Sequence, residues 1–395
     1  MRITVLGTGL VGGAIALDLA REKNWEIRAV DRCPDSLAKL AGQARIEVAC
    51  KDVSDERALQ SVIGDADLVV NAMPGSMGFE MMRRIIDAAR DVVDISFFGE
   101  DPFALDALAL ERGVTAIVDC GVAPGLSNVI AGHVYKDMDR VDSYLCLVGG
   151  IPVVRSWPYE YKAVFSPLDV MQEFTRPARF VEHGKLVVRP ALSDVELIDF
   201  KGVGTLEAFN TDGLRSLATT LDIPFMKEKT MRYPGHANLA RVFRETGLFD
   251  THPVKINGWD VRPIDVTSRL LIEQWRLQED EEDLTVMQVI MEGEHNGQRE
   301  RRDFYMLDRF DAITGTTSMA RTTGYTCAVA ARQVLAGLFT RKGICPPEYL
   351  GATDGCFEDM RTKLEDRNIC IQEAVTKLPA EPGQDEDNLF LRKIA

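Results

Sequence analysis

The stretch that decides the fold is residues 2–31, RITVLGTGLVGGAIALDLAREKNWEIRAVD. It reads as a short apolar strand, a G-x-G-x-x-G turn at residues 7–12, an apolar helix, and a second strand that ends at Asp31. The glycine pattern alone is weak evidence. Inside a complete strand–helix–strand unit, however, it is typical of dinucleotide-binding domains.

The three glycines of this turn have separate tasks. Gly7 permits a tight turn, Gly9 leaves room for a pyrophosphate, and Gly12 lets the helix pack closely on the strand. The free N–H groups at the start of the helix attract phosphates. We therefore predict that the whole turn holds the dinucleotide, with contacts from Gly7, Thr8, Gly9, Leu10, Val11 and Gly12.

The end of the second strand bears on the choice of cofactor. Asp31 stands where a carboxylate hydrogen-bonds the ribose hydroxyls of NAD, and it would repel the 2′-phosphate of NADP. The sequence therefore favours NAD as the cofactor. Arg32 leaves NADP open as the alternative, because an arginine at this position can bind that phosphate.

The alternation of strands and helices continues beyond this unit. Further apolar strands are predicted at residues 46–50, 67–72, 92–96 and 115–119, with helical segments between them. Strands that alternate with helices in this way predict an α/β fold with a Rossmann-type, doubly wound parallel sheet.

Ligands of such sheets lie beyond the carboxyl ends of the strands, so the residues at these ends are candidates for the site. Asp52 and Val53 are expected to flank an adenine. The path from the phosphates to the nicotinamide is expected to be lined by Asn71, Ala72, Met73 and Pro74. Ser96 and Asp119 are expected to lie near the reacting end.

The pattern changes after residue 142. Strand-like runs appear at 143–148, 185–188, 192–198, 205–209 and 284–292, and a helix rich in small residues follows at 320–339. We predict three segments: a dinucleotide-binding domain, an inserted α+β substrate and dimerisation domain on a mostly antiparallel sheet, and a helix that returns to the first domain with a C-terminal extension. Their bounds are 1–125, 126–318 and 319–395.

The composition excludes several classes of function. The net charge of -15 argues against a general nucleic-acid binder and against docking on an anionic membrane. Asp18 interrupts the apolar start, which argues against a signal peptide. Eight cysteines without a C-x-x-C pair suggest reduced thiols and no metal site. We expect a cytoplasmic protein.

Several motifs of the middle region are rich in Arg, Lys, Tyr, Asp and His, which suits a small polar substrate. In order along the chain they are DCGVAPGLSN (119–128), GGIP (149–152), WPYEYKAVFSP (157–167), TRPARFVEHGK (175–185), GTLEAFNTDGLRSL (204–217) and TMRYPGHA (230–237). With these motifs nearly the whole chain resembles the saccharopine dehydrogenase family, and within it the lysine 6-dehydrogenases. Residues 123–128, APGLSN, differ from the turn of the saccharopine reductases, which counts against saccharopine as the substrate.

The resemblance implies an NAD-dependent oxidation of the lysine ε-amine carbon, hydrolysis of the imine with release of ammonia, and cyclisation of the aldehyde to piperideine-6-carboxylate. It also implies a homodimer that pairs through the second domain. Roles for individual residues follow from chemistry. Arg215 and Arg232 are candidates for the substrate carboxylate, Asp212 for the α-ammonium, and Tyr161, Lys162 or His236 for proton transfer.

Two other hypotheses remain open from the sequence. One is a saccharopine or carboxynorspermidine dehydrogenase type of oxidoreductase, which acts on a secondary amine. The other is a non-catalytic NAD-binding protein on the same fold. The first would need a second carboxylate-bearing substrate, and the other would bind NAD without turnover.

Overall fold

Two β-sheets and the helices around them make up the fold in this computed structural model. The structure describes residues 1–163, 167–278 and 281–379, without the side chains of residues 167 and 168. Part of the motif at 157–167 and residues 380–395 of the predicted extension therefore lie outside the described residues.

Eighteen strands are described. They are β1 (Arg2–Leu6), β2 (Glu26–Asp31), β3 (Ile46–Cys50), β4 (Leu68–Asn71), β5 (Asp91–Asp94), β6 (Thr115–Ile117), β7 (Arg140–Pro152), β8 (Ala178–Glu182), β9 (Lys185–Arg189), β10 (Glu196–Phe200), β11 (Gly204–Asn210), β12 (Phe225–Arg232), β13 (Val254–Ile256), β14 (Trp259–Val261), β15 (Asp283–His295), β16 (Gln298–Arg309), β17 (Gly343–Cys345) and β18 (Gln372–Lys377).

Thirteen α-helices are described, together with a 3₁₀ helix at Pro102–Leu105. They are α1 (Leu10–Leu19), α2 (Pro34–Ala38), α3 (Glu56–Ile63), α4 (Gly75–Asp87), α5 (Asp106–Arg112), α6 (Leu126–Asp137), α7 (Pro167–Thr175), α8 (Leu217–Thr220), α9 (His236–Glu245), α10 (Pro263–Trp275), α11 (Ser318–Leu335), α12 (Pro347–Gly351) and α13 (Cys356–Glu365).

The first sheet is entirely parallel, with the strand order β17-β6-β5-β4-β1-β2-β3. The order reverses direction at β1, so β1 and β4 flank the point where a doubly wound sheet binds its ligands. This confirms the predicted fold class. The sequence predicted six strands, and the seventh, β17, was missed because three residues are too few to show a period.

The second sheet is mixed, with the order β10-β11-β12-β7-β15-β16-β18, and β8 and β9 extend it from β12. Its pairs are antiparallel except for β12 with β7, which run parallel. The predicted strand at 192–198 is in fact β10, at Glu196–Phe200. β16 was missed because charged residues alternate along its half-exposed length, QRERRDFYMLDR, so it lacks the apolar run by which the other strands were recognised.

The last part of the chain contributes to both sheets. α11 packs against α1, and β17 extends the parallel sheet, as a return to the first domain requires. β18, however, pairs with β16 at the edge of the mixed sheet. The predicted return to the first domain thus describes α11 and β17, whereas β18 belongs to the mixed sheet.

The contact between α1 and the end of the chain includes a buried ionic cluster. The side chain of Asp18 is 1% exposed and accepts from Arg332 and Arg367, each with a closest distance of 2.7 Å. Such a cluster is stable only when all its members are present, because a buried charge without its partners is costly. The first helix is therefore fixed by residues from the far end of the sequence.

Within the described ranges, no helix combines the length and the apolar character needed to cross a bilayer.

Candidate active site

A cavity of about 530 Å³ extends from the carboxyl ends of the parallel strands to the inner face of the mixed sheet. One end is lined by the glycine turn at residues 7–12, and the other by residues of β7 and β12. This size and position are those of a ligand site in a doubly wound fold.

The glycine turn has the geometry that a dinucleotide requires. Gly7 has a φ of +83°, and a Cβ on Gly12 would lie 1.9 Å from the carbonyl oxygen of Gly7. A Cβ on Gly9 would meet no atom within 4 Å, so the space in front of this residue is open. α1 starts immediately after Gly9 and presents its N–H groups to that space.

Asp31 is held at the end of β2 by the backbone. Its carboxylate accepts from the N–H of Thr8 at 2.8 Å and from the N–H of Cys33 at 2.8 Å. Of the predicted turn residues, Thr8 is the one that does not line the cavity, because its hydroxyl turns toward Asp31. The adenosine end also includes Arg32, Asp52 and Val53, as expected, and Lys51, which the sequence reading missed.

The path toward the reacting end follows the end of β4. Ala72, Met73 and Pro74 line the cavity, but Asn71 does not. Asn71 is fully buried within the sheet, and its amide donates to Asp94 at 2.6 Å. Asn71 therefore lies behind the cavity wall, not on the predicted path, and its hydrogen bond to Asp94 joins two strand ends.

Behind the cavity wall, Asp94 accepts from the hydroxyl of Ser96 at 2.5 Å. Burial raises the pKa of Asp94 well above its usual range. Ser96 itself lines the cavity, as predicted.

Asp119 and Arg215 form a buried, bidentate ion pair. Arg215 donates to the two carboxylate oxygens of Asp119 at 3.0 and 3.1 Å, and the two side chains are 3% and 1% exposed. Both residues have a φ of +51°, in the left-handed region. Asp119 lines the cavity but Arg215 lies behind it. Arg215 is thus committed to Asp119, and the structure does not support its predicted role in binding the substrate carboxylate.

The end of the cavity beside the mixed sheet, called the chamber below, is built from α7, β12 and the turn after β11. Asp212 lines the wall, and Arg179 binds it bidentately at 2.8 and 2.9 Å. Arg232 also lines the wall and donates to Glu173 at 3.1 Å, while its Nε has no hydrogen-bond partner among the described residues. Both predicted residues therefore face the cavity, each beside a group of opposite charge.

Arg176, from the motif at 175–185, also lines this chamber, although no role was predicted for it. Its Nη2 donates to the side chain of Gln172 at 2.8 Å, and its buried Nη1 has no hydrogen-bond partner in the described part of the chain. The guanidinium lies over the ring of Phe97, 4.8 Å from its centroid. Burial, followed by the charge of Arg215, lowers the pKa of Arg176.

The three candidates for proton transfer lie outside the cavity wall as described. His236 is buried, and burial followed by the charge of Arg232 lowers its pKa to about 3, so its ring is neutral. Tyr161 is buried beside it, with ring centroids 5.0 Å apart, and burial raises the pKa of its hydroxyl. Lys162 is paired with Glu281 at 2.9 Å. The geometry gives no support for proton transfer by these residues, and Tyr161 instead packs its ring against the guanidinium of Arg232.

Two family descriptions match this chain. Residues 3–117 match the saccharopine dehydrogenase NADP binding domain, and residues 121–369 match the saccharopine dehydrogenase C-terminal domain. The boundary between the two matches falls in the loop before α6, close to the cavity.

Individual relatives agree with these matches. Saccharopine dehydrogenase [NADP(+), L-glutamate-forming] of Schizosaccharomyces pombe is 23% identical over 87% of this chain and 93% of its own. Carboxyaminopropylagmatine dehydrogenase of Synechocystis is 22% identical over 87% of this chain and 91% of its own.

Among solved structures, the apo saccharopine dehydrogenase (L-Glu forming) of Saccharomyces cerevisiae has the same fold, with a TM-score of 0.76 and 20% identity. That alignment covers 95% of this chain and 99% of that one. Since the two family descriptions together span most of the sequence, the chain belongs to the saccharopine dehydrogenase family of oxidoreductases.

Proposed function

We propose that this protein is an NAD-dependent amino-acid dehydrogenase that oxidises the ε-amine carbon of lysine and releases ammonia. The observation that carries the proposal is one continuous cavity in which a dinucleotide turn faces a chamber rich in carboxyl groups. A cationic amino acid has the charge that such a chamber attracts.

The balance of charge in the chamber supports this substrate class. Five carboxyl groups line it, namely Asp119, Asp169, Glu173, Asp212 and Glu228. Four arginines of the described chain line it or bind its carboxylates from behind, namely Arg176, Arg179, Arg215 and Arg232. With all five groups ionised, one carboxylate is in excess and would balance the one net positive charge of bound lysine. The additional carboxylates of saccharopine would need cations that the described wall does not offer.

The free nitrogen of Arg176 supports a role as the anchor for the α-carboxylate. A buried donor without a partner costs about 1–3 kcal/mol, and a substrate carboxylate would remove that cost. Phe97 keeps the guanidinium against the wall from below. The sequence named Arg215 and Arg232 as candidates for this role, and we assign it to Arg176 in place of Arg215.

The residues of the first domain fit a dinucleotide. The turn at 7–12 would hold the pyrophosphate and Asp31 the adenosine ribose, and the bound nicotinamide would supply a hydride acceptor next to Ser96 and Asp119. Apolar side chains would exclude water from the reacting carbon, and they include Met77, Val122, Pro124, Val148 and Met319.

NAD is our proposed cofactor because the carboxylate of Asp31 would face a 2′-phosphate. NADP is the competing possibility, since Arg32 and Lys51 line the same end of the cavity and the S. pombe relative is named for NADP(+). The test is the ratio of kcat/KM for NAD and NADP, in the wild type and in Asp31→Ala and Arg32→Ala. A wild-type preference for NADP that Arg32→Ala removes would contradict the assignment of NAD.

A panel of substrates tests the reaction itself. We expect reduction of NAD with L-lysine alone, without 2-oxoglutarate, and stoichiometric ammonia. The second candidate is oxidation of a secondary amine, which the names of the S. pombe and Synechocystis relatives favour. Turnover of saccharopine or a carboxyalkylated polyamine without turnover of lysine would replace our proposal with that one. Cofactor binding without turnover of any amine would indicate a non-catalytic protein.

The homodimer that the family likeness implies remains a proposal as well. Light scattering coupled to size-exclusion chromatography tests it directly, and a monomeric mass would contradict it.

A further inference from the structure

One carboxyl group of the chamber stands apart from the others. Glu228 is on β12, is 5% exposed, and lines the cavity. Its Oε2 accepts from the hydroxyl of Thr211 at 2.7 Å and from the N–H of Gly213 at 3.2 Å. Within the described part of the chain, no residue donates a hydrogen bond to its Oε1.

The surroundings of Glu228 are built to hold it in place. A Cβ on residue 213 would lie 2.4 Å from the carboxyl carbon of Glu228, so only glycine lets this backbone come close enough to donate. The hydroxyl of Thr211 is also within 2.8 Å of the hydroxyl of Thr230. A backbone N–H and the hydroxyl of Thr211 therefore hold Oε2, and Oε1 is left without a hydrogen bond from a described residue.

Glu228 also lacks the cation that the neighbouring acids have. Glu173 is bound by Arg232 and Asp212 by Arg179, whereas Glu228 forms no ion pair with a described residue. Burial, reinforced by the charges of Glu173 and Asp212, raises the pKa of Glu228 to about 8. The titratable side chains next to it on β7, Tyr144 and Cys146, are neutral because burial raises their pKa values as well. In its ionised form Glu228 would therefore lack a counter-ion among the described residues, and a bound cation would supply one.

We infer that Glu228 is the acid–base group of the reaction and that the ammonium of the substrate is its counter-ion. This inference rests on the proposed function, which it extends by naming the group that accepts the proton. A protonated amine cannot release hydride, because its nitrogen has no lone pair to support the developing positive charge. A carboxylate beside the amine solves this problem when it takes the proton first.

In the first step, the N–H bond of the substrate ammonium breaks, and its proton passes to Oε1 of Glu228 to leave a neutral amine. An oxidised nicotinamide, when bound, would accept hydride as the C–H bond of the neutral amine breaks, and the nitrogen lone pair would form the C=N bond. Water adds to that carbon, ammonium leaves, and Glu228 returns its proton to solvent. The products are an aldehyde, reduced dinucleotide, ammonium and one proton.

Calorimetry tests the inference without turnover. L-lysine is titrated into the dinucleotide-free protein at pH 7 in two buffers of different ionisation enthalpy. Since Glu228 is mostly protonated before binding and ionised afterwards, we expect the wild type to release between half and one proton per lysine bound. Glu228→Gln, which keeps the shape and the hydrogen bonds to residues 211 and 213, should release none.

The matched control is Glu348→Gln. Glu348 is another buried carboxyl group, bound by Asn128 at 3.0 Å and by Thr220, and it lies outside the described cavity wall. This variant should release the same proton as the wild type. Absence of proton release in the wild type, or equal release in Glu228→Gln, would overturn the inference.

Kinetics distinguish failure of the inference from failure of the proposed function. The base form is active, so log(kcat/KM) should rise with slope one up to an apparent pKa near 8 and then level off. Glu228→Gln should lose this limb and about 10²–10⁴-fold in kcat. Gly213→Ala, which displaces the carboxyl group, should lose at least about tenfold in kcat and keep the limb. Proton release on lysine binding without NAD reduction would contradict the proposed lysine reaction, and Glu228 would then be a binding site for an ammonium group. If Glu228→Gln turns over lysine with an unchanged rate and an unchanged rise with pH, the role of Glu228 is contradicted and the proposed lysine reaction is not.

Discussion

The two ends of the cavity are built in different ways. The dinucleotide end is made by consecutive residues, in which glycines and backbone N–H groups of one turn do most of the work. The substrate end is made by charged side chains from α7, β12 and the turn at residues 211–213, which are far apart in the sequence. Changes at the first end should therefore act through shape, and changes at the second end through charge.

The largest effect is expected from loss of the buried ion pair between Arg215 and Asp119. Arg215→Ala would leave the buried carboxylate of Asp119 without its partner. We expect the free energy of unfolding to fall by about 3–5 kcal/mol, measured by urea denaturation at pH 7. A loss of less than about 1 kcal/mol would show that the pair is replaced by water. Lys342→Ala, which removes an exposed partner of Asp91, is the control and should change little.

Two alanine substitutions separate the functions of the glycine turn. Gly9→Ala adds a methyl group in open space, so stability should stay within about 0.5 kcal/mol while the Kd for NAD rises at least about tenfold. Gly12→Ala forces a Cβ against the backbone of Gly7 and should cost about 1–3 kcal/mol of stability in the absence of any ligand. Equal stability losses in both variants would contradict the division of tasks between these glycines.

The substrate end can be tested with a pair of ligands. Arg176→Ala should raise the KM for L-lysine about 10–100-fold, because a hydrogen-bonded charge pair contributes about 1.5–3 kcal/mol. The same variant should leave the binding of 1,5-diaminopentane, which lacks the carboxylate, nearly unchanged. A similar loss for both ligands would mean that Arg176 supports the wall and does not bind the carboxylate.

A smaller effect is expected from His236 and depends on pH. Its folded pKa of about 3 lies below the value of an unfolded histidine, so the unfolded chain binds the proton more tightly. The contribution of His236 to stability is therefore full above pH 6.5 and is lost as the pH falls from there toward 3. At pH 5 the loss should be about 2 kcal/mol, since each pKa unit corresponds to about 1.4 kcal/mol.

His236→Phe should remove that part of the pH dependence when thermal unfolding is followed between pH 5 and 8. It should also leave the pH profile of kcat/KM unchanged, because the histidine lies behind Arg232 and outside the described cavity wall. A change in the activity profile would restore His236 as a candidate for proton transfer.

Most residues that the sequence placed at the dinucleotide end do line the cavity, because each feature there follows from local pattern. The turn, the strand end at Asp31 and the residues at 72–74 all come directly after an apolar strand. Thr8 and Asn71 are the exceptions, since the direction of a side chain at a strand end depends on tertiary neighbours. Thr8 turns to Asp31 and Asn71 to Asp94.

The substrate end could be predicted only as a group of polar residues. Asp212 and Arg232 line the cavity, but preferring Arg176 to Arg215 requires knowledge of the long-range pairing of Arg215 with Asp119. Glu228 was missed although a signal was present. Residues 228, 230 and 232 lie on one face of a strand, so the flagged Arg232 already implied an inward-facing acid four residues earlier.

The cluster around Asp18 has a consequence for how the protein is made. Arg332 follows Asp18 by 314 residues, and a ribosome that adds about 5–20 residues per second reaches it roughly 15–60 s later. Until then the helix that carries the nucleotide turn lacks the surface on which it finally packs. The nascent chain therefore carries its most recognisable segment in an unfinished state for most of its synthesis, and a chain cut before residue 332 keeps that state permanently.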